Sequence, residues 1–218
     1  MPKPAVHTVV REPLRSNSRS NRARILAAAR QELGRNPDVT LEEIARTAGV
    51  VRRTLFGHFP GRAALLEALA EEASEALRGV VTAAPDAEEA PERALARFVL
   101  SIWPVGDRYR LLLALARRDL GTERVSDILA PARDEATAIL DRGRRAGVFH
   151  DHLPAPVLSA ALEALTLSLL ESVNTGAWAD DGTRTAAATL VAAGVSDEAA
   201  TSIVEGVASE MRADTSEA

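Results

Sequence analysis

From Asn21 onward apolar residues recur every three or four positions, interrupted only by short clusters of Gly, Pro, Asn and Asp. That spacing lays one apolar stripe along an α-helix. The strict apolar/polar alternation of a half-buried strand is absent, so an all-α fold is expected. The pattern predicts helices over 22–34, 41–48, 51–58, 61–83, 90–103, 107–118, 125–146, 154–175, 181–193 and 196–212. Gly34, Asn36 and Pro37 stop the first helix, Ala84-Pro85-Asp86 ends the fourth, and Pro104 divides the fifth from the sixth. Gly147 and Pro154 bracket a loop, and Ser196 is placed to cap the last helix. Residues 1–20 hold Pro2, Pro4, Pro13 and a Ser/Asn/Arg cluster with little apolar periodicity, and are expected to form a flexible basic tail.

One segment departs from generic helical patterning. Thr40 is followed three residues later by Glu43, the spacing of a capping box. Leu41, Ile44, Ala45 and Ala48 then fall on one face, with a small residue where two helices must cross. Gly49 can take the positive φ of a sharp turn into the next helix, and Val50 plugs the crossing. This is the sequence form of a helix-turn-helix. The following helix buries Leu55 and Phe59 at i,i+4, leaving Val51, Arg52, Arg53, Thr54 and Phe56 toward the exposed side. Paired arginines at the start of an exposed helix suit the major groove, where a guanidinium bonds guanine O6 and N7.

Charge changes the picture in the same direction. The whole chain has a net charge of −5. Residues 1–66 carry 12 Lys and Arg against 5 Asp and Glu, a balance of +7, whereas the remainder carries 14 against 26, a balance of −12. A basic head on an acidic body suits a head that meets phosphates and a body kept off them.

Residues 22–69, from Arg22-Ala23-Arg24-Ile25-Leu26 to Phe59-Pro60-Gly61-Arg62-Ala63-Ala64-Leu65-Leu66, resemble the DNA-binding domain of the tetracycline-repressor (TetR) family. The resemblance implies three N-terminal helices for DNA (domain 21–66, after the tail 1–20) and a divergent helical domain, 67–218, for ligand binding and dimerisation. It implies that Thr40 caps the second helix and touches a phosphate, that Arg52, Arg53 and Thr54 face bases or backbone, and that His58 and Arg62 lie against phosphates. Val51 stands where the family has serine, and Phe56 where it has a tyrosine whose hydroxyl bonds a phosphate, so those two polar contacts are lost. The resemblance further implies a homodimer on a palindromic double-stranded operator, released by a small-molecule inducer. An activator or architectural regulator that senses no small molecule is the alternative. Arg11, Arg15, Arg19, Arg22 and Arg24 either form an arm for the minor groove or merely solubilise the tail.

The body is less legible. The segment 154–175 is apolar nearly all round, so it is buried on more than one side. By resemblance, Leu158, Leu162, Leu165, Leu169, Leu190 and Val191 are the dimer-interface candidates. Phe98, Ile102, Trp103, Tyr109, Leu113, Ile128 and Leu129 either line an inducer cavity or fill the core, with Arg117 or Arg133 as a polar contact for ligand.

The chain has no cysteine, which excludes disulfides, thiolate catalysis and cysteine-ligated zinc. No glycine-rich phosphate loop, nucleophile elbow or HExxH stretch occurs, and an enzyme is not expected. His150-Asp151-His152 and Asp180-Asp181-Gly182 lack the further ligands of a metal site, so no metal or cofactor is expected. No apolar run approaches the roughly 20 residues of a membrane span, and the N-terminus has no apolar signal core. A cytoplasmic protein is therefore expected.

Overall fold

The computed structural model describes residues 12–83 and 88–217. Nine helices and no strand occur among the described residues: α1 (Glu12–Arg35), α2 (Leu41–Thr47), α3 (Arg52–His58), α4 (Arg62–Thr82), α5 (Pro91–Asp119), α6 (Thr122–Arg145), α7 (Ala155–Asn174), α8 (Thr183–Ala192) and α9 (Asp197–Glu217). The chain divides into two compact units, Met1–Leu69 and Ala70–Ala218, with the division inside α4.

In the first unit α1, α2 and α3 pack on one another. Ile25, Ala29, Leu33, Ile44, Leu55, Phe59 and Leu65 are all but inaccessible to solvent. The stripe read from the sequence is thus the packed face, except that Leu41 is only half-buried.

The second unit is organised around α5, which touches α6, α7, α8 and α9. Its core joins Leu95, Phe98 and Val99 to Ile139 and Leu140, to Phe149, to Leu158 and Leu162, and to Leu190, Val204 and Val207. At each fully buried leucine, removal from water contributes about 1.5–3 kcal/mol. The ring of Phe149 occupies the space beside Gly143, where a Cβ would stand 2.1 Å from it. Ion pairs tie the helices at the rim: Arg93 and Arg97 of α5 both reach Glu210 of α9, at 2.6 and 2.9 Å.

Three expectations are corrected. Residues 12–20 were expected in the flexible tail, but α1 begins at Glu12. Periodicity missed this stretch because it has no apolar face to bury. Pro13 is no obstacle, since the first turn needs no N–H from it. Residues 1–11, with Arg11, lie outside the described residues. Second, Pro104 does not end a helix; it lies inside α5. The cost of about 3 kcal/mol for an internal proline is offset because both halves bury large side chains, Phe98 and Trp103 on one side of it, Tyr109, Leu112 and Leu115 on the other. Third, α7 is long and apolar enough by composition to cross a membrane, although no single run suggested it. Here it packs against α5, α6 and α8. Its Glu163 pairs with Arg133 of α6 at 2.9 Å, and the Ser159 hydroxyl donates to the Arg133 carbonyl at 3.1 Å.

Candidate nucleic-acid interface

The interface begins at Thr40. Its hydroxyl accepts the Glu43 backbone N–H (3.2 Å), while the Glu43 carboxylate accepts from the Thr40 N–H (2.9 Å) and hydroxyl (2.8 Å). Those bonds, that from the Thr40 backbone first, hold the Glu43 carboxyl below its ordinary range. The capping box expected from the spacing is therefore formed, and it fixes where α2 starts.

α2 ends on Gly49, whose φ is +63°. The Val50 N–H donates to the Ala45 carbonyl and the Gly49 N–H to the Arg46 carbonyl, both at 3.0 Å, which satisfies two carbonyls left open by the end of the helix. Arg24 of α1 secures the same turn from outside, donating from Nη2 to the carbonyls of Ala48 (2.6 Å) and Gly49 (2.9 Å). A guanidinium is favoured there because helix C-termini carry negative partial charge. A Cβ on Gly49 would lie 2.7 Å from that nitrogen.

α3 is anchored by Leu55 and Phe59, both buried, and turns its first residues outward. Val51, at the N-cap, is 69% exposed and makes no side-chain cap bond. Arg52 and Arg53 are exposed and Thr54 and Phe56 half-buried. The two arginines are not equivalent. Arg52 reaches back to Glu42 of α2 (3.1 Å) and lies over the Phe56 ring, 5.1 Å from its centroid. Arg53 has no ion pair among the described residues.

Two other basic residues have local partners. Arg62, at the start of α4, donates to the carbonyls of Val39 (3.2 Å) and Pro37, so it braces the loop between α1 and α2. Arg22 lies over the ring of Phe59, 5.4 Å from its centroid, beside half-buried His58. The structural roles of Arg24 and Arg62, and the splitting of Arg52 from Arg53, were not legible in the sequence. Each depends on residues at least ten positions away.

In the second unit the cavity candidates mostly serve as core. Phe98 belongs to the main cluster, and Ile102 bridges it to a smaller one formed by Ala70, Leu77 and Ile128 with Leu129. Trp103 is buried against Gly182, and Leu113 is half-buried. The Tyr109 hydroxyl donates to the Glu72 carboxylate at 3.0 Å. Arg133, expected to meet a ligand, is engaged by Glu163 through two bonds of 2.9 and 3.0 Å, while Arg117 is exposed. Among the interface candidates, Leu158, Leu162 and Leu190 are buried within their own chain, because their helices turn those positions toward α5. Leu165 and Leu169 are half-buried, and Val191 is 42% exposed.

The two turns read as weak metal candidates have other work. The His150 N–H donates to the Ala193 carbonyl at 3.0 Å and closes the end of α8. Asp180 accepts from the N–H and hydroxyl of Thr185 (3.0 and 2.7 Å), and Asp181 from those of Thr183 (3.1 and 2.6 Å), so this loop opens α8. Hydrogen bonds from Thr183 hold the Asp181 carboxyl low.

Two short helices joined at a positive-φ glycine, the second presenting arginines at its exposed start, form a helix-turn-helix in an all-α chain. Residues 25–69 match the family model described as "Bacterial regulatory proteins, tetR family". The likeness to DNA-binding transcription regulators of that family is thus carried by residues 25–69, the segment that holds the helix-turn-helix. No curated protein matches the chain. Solved structures share its fold. A tetR-family regulatory protein from Rhodococcus RHA1 has 21% identity and a TM-score of 0.66 over 81% of this chain and 98% of its own. CprB from S. coelicolor A3(2) has 20% identity and a TM-score of 0.69 over 88% and 98%. LfrR from Mycobacterium smegmatis, solved with proflavine, has 22% identity and a TM-score of 0.64 over 80% and 94%.

Proposed function

We propose that this regulator binds a palindromic operator as a homodimer in the cytoplasm, represses transcription there, and is released by a small-molecule inducer. The observation that carries the reading is the exposed start of α3, where Val51 and Arg53 stand clear of local partners. In this reading Arg53 bonds a guanine edge, and Val51 offers methyl groups to a thymine methyl. Arg52, steadied by Glu42 and Phe56, meets backbone or the edge of a neighbouring base. Thr40, Thr54 and His58 approach phosphates, and Arg62 acts mainly by holding the 37–39 loop in place. Phe56 has no hydroxyl for a phosphate and serves as the platform for Arg52.

DNA binding would be the work of residues 21–66, and sensing and pairing that of 67–218. Pairing is supported by apolar side chains left outside the core: Val157 on α7 is 51% exposed and Val191 on α8 42%. The dimer surface is accordingly read through Val157, Leu165, Leu169 and Val191, and no longer through Leu158, Leu162 and Leu190. A reading helix of about two turns has too little surface for tight binding on its own, and two half-sites about 34 Å apart supply the rest. The inducer site is read around Ile102, Ile128 and Leu129, with the Tyr109–Glu72 hydrogen bond as its polar handle. The proflavine complex of the similarly folded LfrR supports a ligand in this kind of fold.

The test is selection of genomic fragments by the purified protein, followed by gel shifts on the recovered sequence with and without candidate inducers. A palindromic consensus, released by one compound class, is the expected outcome. Equal retention of all fragments would refute sequence-specific regulation.

A further inference from the structure

We infer that Gly57 is a positioning residue for DNA: its missing side chain lets α3 seat deep enough in the major groove for Arg53 to reach a base edge. The inference rests on α3 being the reading helix and names what sets the depth of its approach.

The packing of the chain does not call for glycine at this position. Gly57 lies within α3 and is not among the glycines of positive φ, so its backbone suits any residue. A Cβ there would meet no atom of the described residues within 4 Å. At Gly49 and Gly143, by contrast, a Cβ would stand 2.7 and 2.1 Å from a neighbouring side chain. Glycine is also the poorest helix former after proline, and α3 has only 7 residues over which to recover that loss.

Position on the helix identifies what meets it. Successive side chains of a helix are about 100° apart. The buried anchors Leu55 and Phe59 therefore lie about 40° apart, and Gly57 falls about 180° from the direction midway between them. It is the outermost point of α3, and it is exposed. Arg53, one turn earlier at i−4, shares that face and is also exposed, while Thr54 and Phe56 flank it half-buried. A helix held to its own domain by Leu55 and Phe59 enters a groove with the opposite face leading. On that face Arg53 is the long arm and Gly57 is bare backbone.

The fit has little slack. The major groove is about 12 Å wide, and a helix with its side chains is about 10–12 Å across. A methyl group at the leading point adds about 1.5 Å on the side that faces the DNA. A hydrogen bond of about 2.9 Å moved out by that much is no longer one. Attraction between basic side chains and phosphates is longer in range and carries no sequence information. Gly57 therefore governs the reading of bases and leaves the general affinity for DNA untouched.

The test uses the full-length chain, a random-sequence duplex and the operator recovered by fragment selection. The variant is Gly57→Ala. Its control is Gly79→Ala, at an exposed glycine inside α4 where a Cβ would likewise meet no atom of the described residues within 4 Å. Both substitutions should raise Tm by about 1–4 °C, because alanine favours the helix. Only Gly57→Ala should weaken binding to the operator, by about tenfold or more. Its affinity for the random duplex, and the slope of log K against log salt from about 50 to 200 mM, should match the wild type. A lowered Tm accompanying the loss would mark a merely structural role and overturn the inference. So would operator binding at wild-type strength, an equal loss on both duplexes, or the same loss in Gly79→Ala. The wild type separates the two readings: if it shows no preference for the operator over the random duplex, the assignment of α3 fails and the role of Gly57 with it.

Discussion

Arg52 and Glu42 form a 3.1 Å ion pair between α3 and α2, which leaves Arg53 as the arginine at the start of α3 without an ion pair among the described residues. Both partners of the pair are well exposed, so it adds little stability, about 0–1 kcal/mol. Its effect is on orientation, since it holds one guanidinium over Phe56 and against α2.

Base discrimination should therefore rest on Arg53. Arg53→Ala is expected to cost about 1–3 kcal/mol against the preferred base pair and to flatten selectivity at one position of each half-site. Arg52→Ala should weaken binding more evenly. Titration of single-base-pair variants of the selected operator checks both; equal loss of selectivity in the two variants would show the ion pair to be irrelevant to reading.

The turn at Gly49 should tolerate no side chain. Gly49→Ala must adopt a positive φ and place a methyl group 2.7 Å from the Arg24 guanidinium. A loss of about 1–2 kcal/mol is expected from the backbone alone, with a further loss if Arg24 gives up its bonds to Ala48 and Gly49. Urea unfolding of the full chain measures it, and Arg24→Ala should reproduce only the second part.

The capping box gives a pH dependence of known sign. The folded Glu43 carboxyl lies below its unfolded value because it accepts bonds from Thr40. Its contribution is complete at neutral pH and is lost as pH falls through the folded value, below the ordinary carboxylate range. Thr40→Ala should cost about 1 kcal/mol near neutrality. The stability difference between wild type and Glu43→Ala should narrow as pH is lowered toward about 3; a constant difference across that range would argue against an ionic cap.

In the second unit, Gly143→Ala should be among the most damaging small substitutions, because the new Cβ would stand 2.1 Å from the Phe149 ring. Overpacking of this kind costs about 1–3 kcal/mol. Combining it with Phe149→Leu should recover part of the loss, a coupling visible in a double-mutant cycle of thermal unfolding.

Pairing and folding should separate by position. Val157→Glu with Val191→Glu alters side chains that are 51% and 42% exposed, and should give folded monomers that bind the operator weakly. Leu158→Arg places a charge in the core and should unfold the second unit instead. Light scattering and circular dichroism distinguish the two, and a dimeric double variant would move the interface elsewhere.

What could be read from the chain alone was whatever depends on near neighbours. The capping box needs Thr40 and Glu43, three positions apart; the turn needs one glycine; the buried face of α2 and the anchors of α3 follow from a period of 3.6. These local rules located the helix-turn-helix to within a residue or two. Tertiary structure decided everything that joins distant positions. It assigned Arg24 and Arg62 to bracing loops, paired Arg52 with Glu42 and Arg133 with Glu163, carried α5 through Pro104, and turned Leu158, Leu162 and Leu190 inward. An arginine bound to a carbonyl and an arginine facing solvent are the same letter with the same neighbours. Only the packing of helices far apart in the chain fixes which partner lies within reach.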